Sequence, residues 1–177
     1  MRLPAFIADL VFLPTLWWNL LHARVLKKWH WWDRVDDHVI IGALPFRSLV
    51  PELKAAGVKA VVNMCREYPG PLDAYQAAGI EQLHVPTVDF SPPSIEDVER
   101  AVEFIKLHVD AGQTVYVHCK AGRGRSATVV LCWLIAHNDV SPEAAQSLLN
   151  DRRKQVLPTV YQRQVVQEFY RCRRNVT

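Results

Sequence analysis

The sequence predicts one α/β domain in which a mostly parallel central sheet is flanked by helices. Strand-like and helix-like segments alternate between residues 39 and 118, and the chain after residue 126 has helical patterning alone. Alternating strands and helices favour a parallel sheet covered on both faces, because each parallel crossover needs a connecting helix. The chain has 177 residues and is 50% hydrophobic, which is enough for one good core.

The individual elements follow from local patterns. The predicted strands are short apolar segments at 39–41, 58–62, 81–85 and Thr114–His118. The predicted helices lie at 49–56, Leu72–Ala78, Ile95–Asp110, 127–137, 142–150 and 159–173. In the third helix apolar residues recur at three- and four-residue steps, Ser94 is the expected N-cap and Gly112 marks the end. The fourth helix is apolar nearly all round, so we expect it to be buried.

The most informative segment is 118–126, which reads His-Cys-Lys-Ala-Gly-Arg-Gly-Arg-Ser and lies between a predicted strand and a predicted helix. Backbone N–H groups of such a loop converge on an anion, and the positive end of the next helix favours negative charge. Arg125 can form a two-pronged contact with phosphate oxygens. The segment therefore predicts a phosphate-binding loop with Cys119 as a nucleophile at its base.

The thiol needs this setting, because a free cysteine is mostly protonated near neutral pH. The loop amides, the helix N-terminus and Arg125 all favour the thiolate, and the Ser126 hydroxyl can donate a hydrogen bond to the sulfur. Gly122 and Gly124 allow close approach of the backbone and positive φ angles.

Two other interpretations compete. Gly122, Gly124 and Ala127 match the loose dinucleotide pattern G-x-G-x-x-A, but that pattern expects a second strand and an acidic residue where this chain predicts another helix. A buried structural thiol at Cys119 leaves three loop cations unexplained. These are Lys120, Arg123 and Arg125. A Walker loop is excluded, because no Gly-Lys-Ser/Thr occurs.

The order His-Cys-x5-Arg-Ser resembles the signature of the cysteine-dependent protein tyrosine phosphatase superfamily. The resemblance implies the compact dual-specificity phosphatase fold, attack by the Cys119 thiolate, a phosphocysteine intermediate and hydrolysis by water, without metal or other cofactor. It also implies that the loop binds the phosphoryl group through Arg125 and its backbone. His118 is expected to orient the loop through hydrogen bonds as a neutral side chain. The loop residues expected to bind substrate are His118, Lys120, Ala121, Gly122, Arg123 and Gly124.

A general acid is also required, because cleavage of a phosphomonoester otherwise releases an alkoxide. The superfamily places an aspartate on a loop upstream of the cysteine, and Asp89 lies thirty residues before Cys119 in a proline-rich segment. The alternative is that Asp89 only stabilises a turn. Poorer candidates lie near helix ends, namely Asp110, Asp139 and Asp151.

The N-terminal segment 1–32 is predicted to associate with a membrane, ahead of a phosphatase domain at 33–177. Residues 3–21 are very apolar, but Asp9, Pro14 and Asn19 would lie inside a transmembrane span. Lysine and tryptophan residues follow, as is typical of the membrane–water boundary, so an interfacial helix is the first choice. The alternative is a helix packed on its own domain, whereas a signal peptide lacks a clear cleavage site.

Composition narrows the class further. The net charge of +3 adds mild attraction to anionic lipid, and no feature indicates nucleic-acid binding. Four cysteines without a C-x-x-C pair favour a reducing compartment, and seven histidines without ligand spacing predict no metal site. We expect a monomer.

A narrower resemblance covers nearly the whole chain. The segments 36–48, 87–89 and 117–123, with the N-terminal Phe-Leu-Pro-Thr-Leu, are similar to mitochondrial-type phosphatidylglycerophosphate phosphatases. That family implies conversion of phosphatidylglycerophosphate to phosphatidylglycerol, the step before cardiolipin. Its loop Glu-Glu-Tyr-Glu corresponds here to Arg66-Glu67-Tyr68-Pro69, so Glu67 and Tyr68 are expected either to position the phosphate loop through Arg125 or to cap a turn.

Three functions therefore stay open from sequence. The first is a membrane-bound phosphatidylglycerophosphate phosphatase, at the cytoplasmic face of a bacterial inner membrane or the matrix side of the mitochondrial inner membrane. The second is a tethered dual-specificity protein phosphatase or phosphoinositide phosphatase, since the loop is also similar to that of tensin-homologue phosphatases. The third is a non-catalytic module that binds phosphate or lipid. The lack of an Arg-rich, Ser-rich transit peptide favours a bacterial membrane.

Overall fold

The computed structural model describes residues 12–21 and 29–175. The strands are β1 Trp32–Arg34, β2 Val39–Gly42, β3 Val58–Cys65, β4 Glu81–Thr87 and β5 Thr114–His118. The helices are α1 Phe12–Leu20, α2 Val50–Ala55, α3 Leu72–Ala78, α4 Ile95–Asp110, α5 Arg125–Asn138, α6 Pro142–Arg152 and α7 Gln164–Arg174. Two short 3-10 turns lie at Arg47–Leu49 and Val160–Gln162.

The five strands form one sheet in the order β1-β2-β5-β3-β4. Strand β1 is antiparallel to β2, and the three other pairings are parallel, which confirms the predicted mostly parallel sheet. Strand β5 is central, with His118 paired to Gly42 on one side and Asn63 on the other. The loop after β5 therefore leaves the middle of the sheet at its carboxyl edge, where ligands bind in open α/β sheets.

Helices cover both faces of the sheet. The larger core cluster joins the sheet to α4, α5, α6 and α7, and the smaller one joins it to α2 and α3. Helix α5 is buried over most of its length, as its apolar surface predicted. Ser94 caps α4 by accepting a hydrogen bond from the Asp97 amide at 3.2 Å, as predicted.

The structure differs from the sequence prediction at the start of the domain. The boundary drawn at residue 33 falls inside β1, which begins at Trp32 and is too short to show a strand pattern. The indole of Trp31 donates to the Leu44 carbonyl at 3.1 Å, and that of Trp32 donates to Glu52 at 2.9 Å. These two tryptophans, assigned from sequence to the membrane segment, are therefore held by the domain itself.

The helix predicted at 159–173 is interrupted. Arg163 has an extended backbone with ψ 134°, so a 3-10 turn ends before it and α7 begins after it. Its side chain donates to the Gly124 carbonyl at 3.1 Å and to the Thr128 hydroxyl at 2.6 Å. A tertiary contact with the phosphate loop therefore accompanies this break, and local sequence patterns carry no sign of it.

Helix α1 covers nine residues of the predicted membrane segment. Within residues 12–21 and 29–175, no helix is both long enough and apolar enough to cross a bilayer.

Candidate active site

The phosphate loop is a sharp turn between the end of β5 and the start of α5 at Arg125. Gly122 has φ +67°, and a Cβ at this position would lie 2.5 Å from the Gly42 carbonyl oxygen. Only glycine fits both the conformation and this close approach of β2. The sequence prediction that glycine shapes the loop therefore has a specific cause at this position.

Cys119 lies at the base of the loop and is almost fully buried. Burial acts to raise the pKa of its thiol, but Arg125, the hydroxyl and amide of Ser126 and the Ala121 amide outweigh burial and bring the pKa down to about 7. The Ser126 hydroxyl donates to Sγ at 3.3 Å. A substantial fraction of this cysteine is therefore thiolate at neutral pH, as a nucleophile requires.

Arg125 is buried beside the sulfur and contacts two carboxylates. Its Nη1 donates to Glu67 Oε2 at 2.8 Å and to the Thr87 carbonyl at 2.7 Å. Its Nη2 lies 2.9 Å from Asp89 Oδ1 in an ion pair, but no N–H of Nη2 is aligned for a hydrogen bond. Burial acts to lower the pKa of Arg125, but the surrounding anionic groups outweigh it and raise the pKa above its usual value. The guanidinium is therefore always charged and keeps one edge available to a phosphate.

Asp89 lies on the loop after β4, and the fold brings it next to the phosphate loop. Its carboxylate forms an ion pair with Lys120 through Oδ2 and one with Arg125 through Oδ1. Its backbone N–H donates to Glu67 Oε1 at 3.0 Å. The candidate general acid therefore borders the same cavity as Cys119, at hydrogen-bonding distance from both catalytic-site cations.

Glu67 and Tyr68 have separate tasks. Glu67 bridges the Arg125 guanidinium and the Asp89 backbone, so it fixes the two candidate catalytic groups relative to each other. The Tyr68 hydroxyl donates instead to the Pro45 carbonyl at 2.8 Å, and Asn63 donates to the Tyr68 carbonyl at 2.8 Å. Of the two, Glu67 contacts Arg125, and Tyr68 anchors the loop to its neighbours.

The two other cations of the phosphate loop, Lys120 and Arg123, contact different parts of the protein. Lys120 contacts Asp89, donates to Thr15 of α1 at 2.6 Å and lies 4.9 Å from the Phe90 ring centroid. Arg123 donates through Nε to the Gln155 carbonyl at 2.9 Å, and its guanidinium lies 4.8 Å from the Trp29 ring centroid.

His118 is completely buried, and burial lowers its pKa to about 3, so the ring is neutral. It stacks on Tyr116 with ring centroids 5.7 Å apart. Within the described residues neither ring nitrogen meets strict hydrogen-bond geometry, but interaction with the Cys119 backbone amide still raises the pKa of the ring against the larger effect of burial. The expected role of His118 in orienting the loop therefore stays a prediction.

Sequence reasoning missed Arg153, at the end of α6, which holds the outer side of the loop. Its Nε donates to the Gly122 carbonyl at 2.9 Å, and its Nη2 donates to the Ala121 carbonyl at 3.1 Å. Its Nη1 forms a buried ion pair with Asp33 of β1. No motif marks these residues, which lie far apart in sequence. Arg153 lies just after the helix predicted at 142–150, where a basic residue is common, so the sequence offers no specific signal for this role.

The site opens into a cavity of about 260 Å³. Four elements meet there: α1, the loop after β4, the phosphate loop and the segment before α7. The lining residues include Thr15, Trp18, Asp89, Phe90, Cys119, Lys120, Arg123, Arg125, Leu157 and Arg163.

A nucleophilic thiol in a phosphate loop, with an invariantly charged arginine and a nearby carboxylate, defines a cysteine-dependent phosphatase. Residues 39–172 match the family model described as dual specificity phosphatase, catalytic domain, and the chain belongs to this family. The fold and family predicted from sequence are therefore confirmed.

Similar proteins indicate a narrower group within the dual specificity phosphatase family. A protein named phosphatidylglycerophosphate phosphatase PTPMT2 from Arabidopsis thaliana is 44% identical over 165 residues, which cover 92% of this chain and 72% of the relative. The human protein named phosphatidylglycerophosphatase and protein-tyrosine phosphatase 1 is 36% identical over 178 residues, which cover 96% of this chain and 89% of the relative. A crystal structure of PTPMT1 in complex with PI(5)P matches with a TM-score of 0.75 at 31% identity, over 83% of this chain and 99% of that one.

Proposed function

We propose that this protein hydrolyses the terminal phosphate of phosphatidylglycerophosphate to give phosphatidylglycerol and inorganic phosphate. The observation that carries the proposal is the similarity over nearly the whole chain to proteins named for this reaction, together with a nucleophilic thiol in a phosphate loop. The reaction supplies phosphatidylglycerol for cardiolipin synthesis.

The first step forms a bond between the Cys119 sulfur and phosphorus. Arg125 and the loop amides hold the phosphoryl oxygens, and the bond from phosphorus to the glycerol oxygen breaks. The leaving oxygen takes a proton from Asp89. An incoming phosphate displaces the Asp89 carboxylate from Lys120 and Arg125, and the freed carboxylate takes up from solvent the proton that it then donates to the leaving oxygen.

The second step returns the enzyme to its starting state. Water attacks the phosphocysteine, Asp89 takes a proton from that water, and the sulfur leaves as thiolate. The Ser126 hydroxyl, already hydrogen-bonded to Sγ, stabilises the negative charge on the departing sulfur. Every bond made to the sulfur in the first step is broken in the second.

We place the reaction at a membrane surface, since the substrate is a phospholipid. The apolar segment 1–32, the net charge of +3 and the exposed tryptophans of α1 support an interfacial attachment. The cytoplasmic face of a bacterial inner membrane and the matrix side of a mitochondrial inner membrane both provide the reducing conditions that a thiolate needs. The protein acts there as a monomer.

A second candidate substrate is a phosphoinositide, favoured by the relative solved in complex with PI(5)P. A tethered protein phosphatase is the third possibility, because the human relative is also named for protein-tyrosine phosphatase activity.

The test compares three substrates with the full-length protein: vesicles carrying phosphatidylglycerophosphate, vesicles carrying PI(5)P, and a phosphotyrosine peptide. We expect the highest kcat/KM with phosphatidylglycerophosphate. Cys119→Ser should lower turnover by at least about 10⁴-fold, because the nucleophile is lost. The matched control Cys172→Ser changes an exposed cysteine on α7 and should behave as wild type. A preference for the peptide contradicts the lipid assignment, and activity of Cys119→Ser contradicts covalent catalysis.

A further inference from the structure

Several exposed large apolar side chains lie at the catalytic opening or next to it in sequence. Among the described residues, Trp18, Phe90 and Leu157 line the cavity although they are 57%, 56% and 37% exposed. Trp17 and Leu21 belong to the same N-terminal segment as Trp18 and are 71% and 40% exposed. We call these five residues the rim. Contiguous exposed apolar groups of this kind mark interaction surfaces.

Helix α1 is held against the active site by two of its residues. Leu16 is buried, and Thr15 accepts a hydrogen bond from Lys120 of the phosphate loop at 2.6 Å. Trp18, three residues after Thr15 and therefore on the same side of the helix, lines the cavity although it is more than half exposed, and Trp17 is exposed as well. The helix therefore presents an exposed indole at the cavity.

Two rim residues come from the phosphatase domain itself. Phe90 directly follows Asp89 and has φ +62°, a conformation that is costly for an aromatic residue. Its ring lies 4.9 Å from Lys120 Nζ in a cation–π contact and is still largely exposed at the mouth of the cavity. Leu157 is fixed to the loop, because its N–H donates to the Arg123 carbonyl at 3.1 Å.

The same opening is positively charged. Of the residues that the structure describes, four basic side chains and one acidic side chain, Asp89, line the cavity. The basic residues are Lys120, Arg123, Arg125 and Arg163. Tryptophan with arginine and lysine is the combination that suits the boundary of an anionic membrane, where rings sit at headgroup depth and cations meet lipid phosphates.

The cavity has room for a lipid headgroup and not for a whole phospholipid. Its volume of about 260 Å³ is near the lower end of the roughly 300–1,000 Å³ that is typical of small-molecule sites. A phospholipid headgroup can enter, but the acyl chains must stay outside in an apolar phase. This step rests on the proposed lipid substrate.

We infer that the rim is the surface with which this enzyme docks on an anionic bilayer, with the catalytic cavity facing the lipid headgroups. The membrane contact then includes the phosphatase domain through Phe90 and Leu157, and is more than a tether formed by the N-terminal segment. Docking brings the phosphate loop to the membrane surface and places the Asp89 loop at the interface.

The test measures binding of the full-length protein to vesicles of phosphatidylcholine with about 30% phosphatidylserine. These vesicles contain no phosphomonoester, so binding is read without turnover. Phe90→Ser, Leu157→Ser, Trp17→Ser and Leu21→Ser should each lower the partition coefficient about fivefold or more, because each removes an inserted apolar side chain. Leu72→Ser and Leu107→Ser are matched controls, since these leucines are 54% and 66% exposed and lie outside the rim.

The controls should bind within about twofold of wild type. Pure phosphatidylcholine vesicles should bind more weakly, and added salt should weaken binding further. Thermal unfolding of each variant checks that weaker binding does not come from unfolding. The highly exposed Trp17 and Leu107 should leave the Tm unchanged, and the partly covered Leu21 and Leu157 should lower it slightly. Normal binding of both Phe90→Ser and Leu157→Ser overturns the proposal in favour of an N-terminal tether. Rim variants that abolish a dimer but keep vesicle binding overturn it in favour of a second copy. Failure here with intact phosphatidylglycerophosphate turnover in detergent leaves the proposed function standing.

Discussion

Two buried arginines lie on opposite sides of the phosphate loop. They differ in whether a guanidinium N–H group remains available to bind a ligand. Arg125 faces the cavity and keeps its Nη2 group without an aligned hydrogen bond, next to the reactive sulfur. Arg153 lies behind the loop and directs Nε and both terminal nitrogens at protein acceptors. Arg125 is therefore placed to bind a ligand, and Arg153 is placed to hold the loop that binds it.

Planar peptide geometry explains how Arg153 acts on the site. In a trans peptide the C=O and the following N–H point in opposite directions. By holding the Ala121 and Gly122 carbonyls on the outer side, Arg153 turns the N–H groups of Gly122 and Arg123 away from itself. These are the donors that a phosphate-binding loop needs on its inner side.

The largest expected effect is that of Arg125→Lys, which tests whether the arginine on the inner side of the loop acts through its shape as well as its charge. Lysine keeps the charge but lacks the planar fork, so it cannot contact the phosphoryl oxygens and Glu67 together. We expect kcat to fall about 10³-fold, measured with both the lipid and an aryl phosphate. A loss of less than about tenfold would show that charge alone is enough on the inner side of the loop.

Arg153→Met should act mainly on stability. The change removes the guanidinium from the largely buried Asp33, which keeps a 2.8 Å contact with the His30 ring, and it removes the Arg153 donors from two loop carbonyls. We expect the free energy of unfolding to fall by about 3 kcal/mol in urea titration. The double variant Asp33→Asn/Arg153→Met should recover part of this loss. Full stability of Arg153→Met would mean that the loop keeps its shape without outer support.

Asp89→Ala tests the carboxyl group that is paired with Arg125, through its effect on the leaving group. The lipid alkoxide needs a proton, whereas an aryl phosphate has a leaving group that does not. We therefore expect kcat to fall about 10²-fold with the lipid and much less with the aryl phosphate. Asp151→Ala changes an exposed aspartate of α6 and serves as the control. Equal losses on both substrates would remove Asp89 from the acid role.

The smallest expected effect concerns Ser126 and the pH dependence of the thiol. Because the pKa of Cys119 is lowered to about 7, the rate of its alkylation by iodoacetamide should rise with pH and reach half its maximum near pH 7. Ser126→Ala removes a hydrogen bond that favours the thiolate, so the midpoint should move up by about one pH unit. An unchanged midpoint would assign the low pKa to Arg125 and the amides alone.

The sequence is most informative where the chemistry is local. Cys119, Arg125 and Ser126 lie within one strand–loop–helix segment, so their spacing carries the geometry. The strands β2 to β5 and the long helix α4 also follow from local patterns. Asp89 follows from a superfamily pattern, and it lies beside Arg125 in the structure; the catalytic roles of these residues stay predictions.

The rest depends on contacts between distant residues. Arg153 meets Asp33 and the loop only after α6 packs on the domain, and Arg163 interrupts a helix through a bond to Gly124. Trp31 and Trp32 have the composition of a membrane boundary, but their indole N–H groups find partners inside the domain. Local patterns contain no information on any of these pairings.

The short strand β1 has a practical consequence for anyone preparing a shortened enzyme. The His30 carbonyl accepts hydrogen bonds from Arg153 and Gln155, and the Trp31 carbonyl accepts one from Ala43 at 2.8 Å. A fragment that begins at residue 33 lacks these hydrogen-bond acceptors as well as the apolar N-terminal segment. Its weak activity would then be mistaken for a missing lipid attachment, whereas a fragment that begins at residue 29 keeps these hydrogen bonds and lacks α1 with its Thr15–Lys120 contact.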